Sequence, residues 1–146
     1  MKLYLDLCAL KRPFDDRSQP RVDAEARAVL DLLGRIADGE HRLIWSPALT
    51  FENEADPDLE VRRVVAQCAS LAGVHAELTE EVAGRIADLH GLGLAPLDAG
   101  HLAFAESAAC DALLTCDDRF EKRAGRIASR TRVVNVVEWS REQGHE

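Results

Sequence analysis

Short apolar runs, each followed by a stretch with helical spacing, constrain this chain more than any other feature. "KLYLDL" at residues 2–7, "RLIW" at 42–45, "DALLTC" at 111–116 and "RVVNVV" at 132–137 have the length and apolarity of buried strands. "VHAEL" (74–78) is a weaker strand candidate. Between the runs, Val22, Ala26, Val29, Leu30, Leu33, Ile36 and Ala37 recur at helical spacing, and Gly39 stands where a helix commonly ends on glycine. Ser46-Pro47 and Asp56-Pro57 read as helix starts, the first helix running through Glu54 and the second to near Leu71. Thr79 with Glu80 and Glu81 opens another helix that reaches His90, and Pro96 opens "PLDAGHLAFAESAA". "DRFEKRAGRIASR" reads as a short basic helix, and "EWSREQGHE" as a frayed turn or tail. Strands that alternate with helices predict one α/β domain over residues 1–146. The expected architecture is an α/β/α sandwich with a central, mainly parallel sheet.

The ends of these runs raise a physical question. Asp6 interrupts the first strand, and Asp117 and Asp118 follow directly on "ALLT". A strand entering a core does not carry charge there cheaply. In open parallel sheets, functional groups collect at the carboxyl ends of the strands, in the crevice where the strand order reverses. Glu52 falls on the helix after the second strand, and Asp98 in the first turn of a helix, one turn before His101. A parallel sheet would therefore deliver acids from four segments to one edge. Two unit charges ~5 Å apart repel by about 3 kcal/mol at an effective dielectric of ~20, so such a cluster either holds protons or holds a cation. An all-oxygen donor set suits Mg²⁺ or Mn²⁺. A divalent cation so held is suited to phosphodiester hydrolysis.

Composition narrows the partners. With 26 acidic against 18 basic residues the formal charge is −8. That excludes a protein that coats nucleic acid by neutralising phosphates with Lys and Arg, and leaves open an enzyme that grips phosphates through cations. Cys8, Cys68, Cys110 and Cys116 form no CxxC pair and have no paired histidines nearby, so reduced thiols and no zinc site are expected. Met1 to Leu7 reads as a strand rather than a leader, and no apolar stretch reaches the ~18 residues of a membrane helix. The expectation is a soluble, cytoplasmic protein. No Ser–His–Asp pattern and no Walker-type glycine loop is present.

Four motifs in order now carry a resemblance. "YLDLCAL" holds Asp6; "SPALTFE" has Ser46, five residues, then Glu52; "LDAGHLAFAE" has Asp98, two residues, then His-Leu-Ala; "TCDDRF" has Thr115, Asp117 and Phe120. Over nearly its whole length the chain resembles a PIN domain, the metal-dependent nuclease fold of VapC-type toxins in bacterial toxin–antitoxin systems. The resemblance implies an endoribonuclease that prefers single strands and depends on Mg²⁺ or Mn²⁺. It assigns both catalysis and metal ligation to Asp6, Glu52, Asp98 and Asp117. It further implies a homodimer and a cognate antitoxin that blocks the acidic pocket with an inserted Arg or Lys. The family usually has Thr or Ser directly after its first Asp; here Leu7 stands there, with Cys8 next.

Alternatives stand beside these assignments. Glu54 competes with Glu52, and Asp118 is a second contributor or a helix cap. Thr115 is expected to orient Asp117, and His101 to be structural. Arg119, Lys122, Arg123, Arg126, Arg130 and Arg132 form a basic stretch that contacts RNA phosphates or is a solvated face. Trp45 and Trp139 belong to the core or face a partner. The rival functional reading is a catalytically degenerate PIN-like module that binds RNA or protein. A receiver-type domain would want an Asp pair after strand one and a Lys after the last strand, and the chain has neither.

Overall fold

The computed structural model describes residues 1–145. Its centre is a five-stranded sheet, parallel throughout, in the order β3-β2-β1-β4-β5. The strands are β1 (Lys2–Leu5), β2 (Arg42–Trp45), β3 (Ala72–His75), β4 (Ala112–Thr115) and β5 (Arg132–Asn135). The helices are α1 (Leu7–Lys11), α2 (Pro20–Ala37), α3 (Pro47–Glu54), α4 (Leu59–Gln67), α5 (Glu80–Gly91), α6 (Pro96–Ser107), α7 (Asp118–Ala124) and α8 (Val136–Glu142). They flank the sheet as the outer layers of an α/β/α sandwich, with α2 packed on α1 and α8, and α6 packed on α5 and α3.

The pattern of burial explains the strand order. Leu3, Tyr4 and Leu5 of β1 and Ala112 to Thr115 of β4 are buried, as expected of central parallel strands covered on both faces. Edge strand β3 instead alternates between exposed and half-buried residues. The chain adds β2 and β3 on one side of β1, then crosses to add β4 and β5 on the other. The switch point is therefore the crevice between the carboxyl ends of β1 and β4.

Several boundaries differ from the sequence expectation. The first strand stops at Leu5, because the Asp6 side chain accepts from the Ala9 amide and starts the short helix α1. The helix expected to start at Asp56-Pro57 starts two residues later, where Asp58 accepts from the amides of Glu60 and Val61. It ends as α4 at Gln67, and a 3₁₀ turn (Cys68–Leu71) leads into β3, which lies at 72–75 rather than 74–78. The basic helix ends at Ala124 rather than near Arg130. The last strand ends at Asn135, whose side chain caps α8, so the expected frayed tail begins as an ordered helix. Gly39 does follow α2, at φ +85°, a conformation that favours glycine. Trp45 and Trp139 are both core residues.

Leu114 lies fully buried in β4. Leu114→Ala is expected to lower the unfolding free energy by about 2–5 kcal/mol in a urea titration. Leu30→Ala, at a side chain that is 49% exposed on α2, is expected to change it by no more than about 0.5 kcal/mol.

Candidate active site

Parallel pairing of β1 with β4 sets Leu5 against Leu114, and the ladder continues one step further through the Asp6 amide and the Leu114 carbonyl. Asp6 and Thr115 are thereby brought to the same sheet edge. The Thr115 hydroxyl donates to Asp6 Oδ2 at 2.5 Å and accepts from the Asp117 amide at 3.0 Å. One buried hydroxyl thus ties together the acids that end both strands. Thr115 was expected to orient Asp117; the side chain it orients directly is that of Asp6.

Asp6 Oδ1 accepts from the Ala9 amide at 3.1 Å and from the Cys8 thiol at 3.0 Å. The carboxyl is buried, and burial followed by its proximity to Cys8 holds its pKa well above the usual carboxylate range. Contact with Cys116, followed by burial, raises the Cys8 pKa, so Cys8 remains a thiol and a donor. The departure noted in the sequence acquires a structural reading here. Leu7 packs into the core, and a hydrogen-bonding side chain reaches Asp6 from the next position, Cys8.

Glu52 and Asp98 come from two packed helices. Glu52, half-buried on α3, meets His101 Nε2 of α6 at 2.9 Å. His101 is itself buried, and its Nδ1 lies 2.7 Å from the Tyr4 hydroxyl, which is 2.6 Å from Ser46 Oγ. Ser46 caps α3 by accepting from the Leu49 amide. One arrangement of protons satisfies the whole chain: Ser46 donates to Tyr4, Tyr4 to His101 Nδ1, and His101 Nε2 to Glu52. His101 is a positioning residue that links β1, α3 and α6. Asp98 lies one turn before it, on the same side of α6. The Asp98 carboxyl is pushed up to about 6, first by burial and then by the charge of Asp117, with Glu52 adding to the effect and Arg123 opposing it. Asp98, Asp117 and Glu52 therefore lie within electrostatic reach of one another.

Asp117 caps α7, accepting from the amides of Arg119 and Phe120 at 2.9 and 3.3 Å. Asp118, the alternative, turns away and forms a two-pronged ion pair with Arg21 at 2.6 and 2.8 Å. Glu54, the other alternative, is exposed near the end of α3, and its backbone carbonyl accepts from Arg62. Among the described residues, no Lys or Arg pairs with Asp6, Glu52, Asp98 or Asp117, although most ion pairs elsewhere join an acid to an Arg. The four acids are neighbours rather than a closed cage. Among the described residues, no three of them bring ligand atoms within 4.8 Å of one another. Asp6 and Glu52 are held from other elements, by Thr115 of β4 and His101 of α6, Asp117 is held by the α7 amides, and like charges favour the spacing among them.

Of the basic stretch, Arg132 is paired with Glu138 and Glu142 and is not available to a ligand. Arg123, exposed on α7, is close enough to oppose the rise in the Asp98 pKa. A cleft of about 1110 Å³ lies elsewhere, between β3, α5 and the end of α6, and none of the four acids lines it. Sequence reasoning missed the contribution of Tyr4. The signal was available: Tyr4 and Asp6 are two positions apart in an extended run and so share a face.

No family model matches the chain, and no curated protein matches it. Among solved structures, it is similar to a chain in the structure of VapBC-1 from nontypeable Haemophilus influenzae. The TM-score is 0.63 and the identity 12%, over 93% of this chain and 98% of that one. A likeness at that identity establishes the shared fold, and at that level it bears out the resemblance carried by the four motifs.

The raised pKa of Asp98 has a sign that can be measured in the presence of a chelator. The folded state holds this proton up to about pH 6, whereas the ordinary carboxyl loses it near 3.8. The folded state is therefore penalised progressively as pH rises from 3.8 through about 6. Asp98→Asn removes the charge. Urea unfolding is expected to give equal stabilities for variant and wild type at low pH. Near pH 7 the variant should be more stable by roughly 1–2 kcal/mol, once solvent screening of this part-exposed group is allowed for. A difference that does not change with pH would refute this account of Asp98.

Proposed function

We propose that this chain is a Mg²⁺- or Mn²⁺-dependent endoribonuclease, the toxin of a type II toxin–antitoxin pair, acting in the cytoplasm as a homodimer. The observation that carries the reading is the convergence of Asp6, Glu52, Asp98 and Asp117 on the carboxyl edge of the sheet, beside the switch point, with no Lys or Arg pairing with them among the described residues. Oxygen donors whose burial and mutual charge raise a carboxyl pKa, and which form no ion pair with Lys or Arg among the described residues, fit a hard divalent cation. The fold shared with a chain of VapBC-1 adds support for a VapC-like nuclease and for an antitoxin partner.

In this reading Asp6, Asp98 and Asp117, with Glu52 directly or through water, hold one or two cations. The cation supplies activation of water and relief of the negative charge that develops on the attacked phosphodiester. The protein supplies orientation. Thr115 and Cys8 hold the Asp6 carboxylate in one rotamer, and the α7 amides hold Asp117. The Ser46–Tyr4–His101 chain holds Glu52. Arg119, Lys122, Arg123 and Arg126 carry no ion pair among the described residues; Arg123 lies within electrostatic reach of Asp98, and this stretch would meet RNA phosphates. A basic side chain inserted by an antitoxin would neutralise the same carboxylates.

An RNase assay on single-stranded RNA tests the proposal. Wild type is expected to cleave with Mn²⁺ and to lose activity in EDTA, and Asp98→Asn is expected to lose at least about a hundredfold in rate, equivalent to roughly 3 kcal/mol of lost transition-state stabilisation. Equal rates in the two proteins, or cleavage that survives EDTA, would overturn the mechanism. RNA bound by wild type and left intact would favour the binding-module reading instead.

A further inference from the structure

At the opposite, amino edge of the sheet, Glu40, His41 and His145 each bring one ligand atom to within 4.8 Å of the other two. Glu40 and His41 occupy the turn between α2 and β2, and His145 lies beyond the end of α8. Both approaches are built by the backbone. Gly39 at φ +85° and Gly144 at φ +75° reverse the chain, the Glu40 amide bonds the Arg35 carbonyl, and the His145 amide bonds the Ser140 carbonyl. The two imidazoles lie 5.4 Å apart, centre to centre, and each meets buried Trp139 edge-on, at 5.4 and 5.6 Å.

Two ring nitrogens in this cluster, His41 Nε2 and His145 Nδ1, are sealed from solvent without a hydrogen-bond partner among the described residues. An orphaned buried polar atom is costly, and two on facing histidines share one remedy. One oxygen of Glu40 is held by Arg35 at 3.0 Å, which fixes the carboxylate beside them. Ligands around a four-coordinate zinc ion stand about 3.3 Å apart, given Zn–N distances near 2.0–2.1 Å, so small side-chain movements would close the set.

We propose that Glu40, His41 and His145 form a second cation site, specific for Zn²⁺ and related borderline metals, that staples the C-terminal segment to the α2–β2 turn. Two imidazoles and one carboxylate leave a fourth position for water and disfavour Mg²⁺, which prefers an all-oxygen set. The sequence showed no zinc signal because the two histidines are 104 residues apart and involve no cysteine. The site is separated from the acids described above by the length of the strands and does not depend on nuclease activity.

The test is Zn²⁺ binding to the full chain, followed by competition against Co²⁺, whose visible absorption reports nitrogen and oxygen ligation. With Mg²⁺ in excess to occupy the acids at the other edge, wild type is expected to keep one Zn²⁺ site, and Zn²⁺ is expected to raise Tm. His41→Ala and His145→Ala are each expected to weaken binding at least about tenfold, the loss known for disturbing even the surroundings of a metal ligand. Glu40→Gln should weaken it with the fold unchanged by circular dichroism. His145→Gln, near the chain end, repeats the measurement if His41→Ala fails to fold. Wild-type affinity in these variants, loss of the Zn²⁺ site in excess Mg²⁺, or no Co²⁺ absorption in wild type would overturn the proposal.

Discussion

Parallel pairing of β1 with β4 is the constraint on which the molecule depends. Both strands are buried on both faces, so their residues enter water only at the strand ends. Because the strands run the same way and in register, Asp6 and Asp117 emerge at one edge, joined through the Thr115 hydroxyl. The adjacent helices α3 and α6 bring Glu52 and Asp98 to the same neighbourhood. Antiparallel pairing of the same sequences would separate those two aspartates by the length of a strand.

Desolvation and hydrogen bonding compete across this edge. Asp6 and Asp98 are burdened by burial, and Asp98 also by its acidic neighbours, yet both remain where uncharged side chains would cost less. For Asp6 the cost is offset because it also caps a helix, as Asp117 does, and Glu52 is held by a buried relay that begins at another cap, Ser46. Thus the groups that start α1, α3 and α7 are either the acids themselves or the anchors of those acids. Local helix initiation and the geometry of the edge are one set of interactions.

Much of this was legible in the chain. The alternation of apolar runs with helical spacing predicted the layers, and Pro96 and Ser46-Pro47 marked α6 and α3 at the positions observed. The errors have a common origin. Asp56 and Asp58 are both plausible caps; Asp56 is buried and pairs with Lys11 from α1, which leaves Asp58 to start α4. "KLYLDL" and "RVVNVV" were read as longer strands because an apolar run does not reveal that Asp6 or Asn135 will bend it into a helix. Asp118, read as a second contributor beside Asp117 or as a helix cap, is paired with Arg21, far away in sequence, a contact that no local pattern announces.

The sequence by itself determined which residue types were present to form an edge of carboxylates, their order along the chain and the class of fold that would bring them together. Those properties follow from local periodicity and turn chemistry, which act over a few residues. Tertiary structure alone decided which nitrogen or hydroxyl each carboxylate meets: Cys8 and Thr115 on Asp6, His101 on Glu52, Arg21 on Asp118. It also decided that His41 and His145 face each other across Trp139. Such contacts depend on the relative placement of packed layers, to which hydrogen bonds are sensitive within a few tenths of an ångström, and no spacing along the chain encodes that distance.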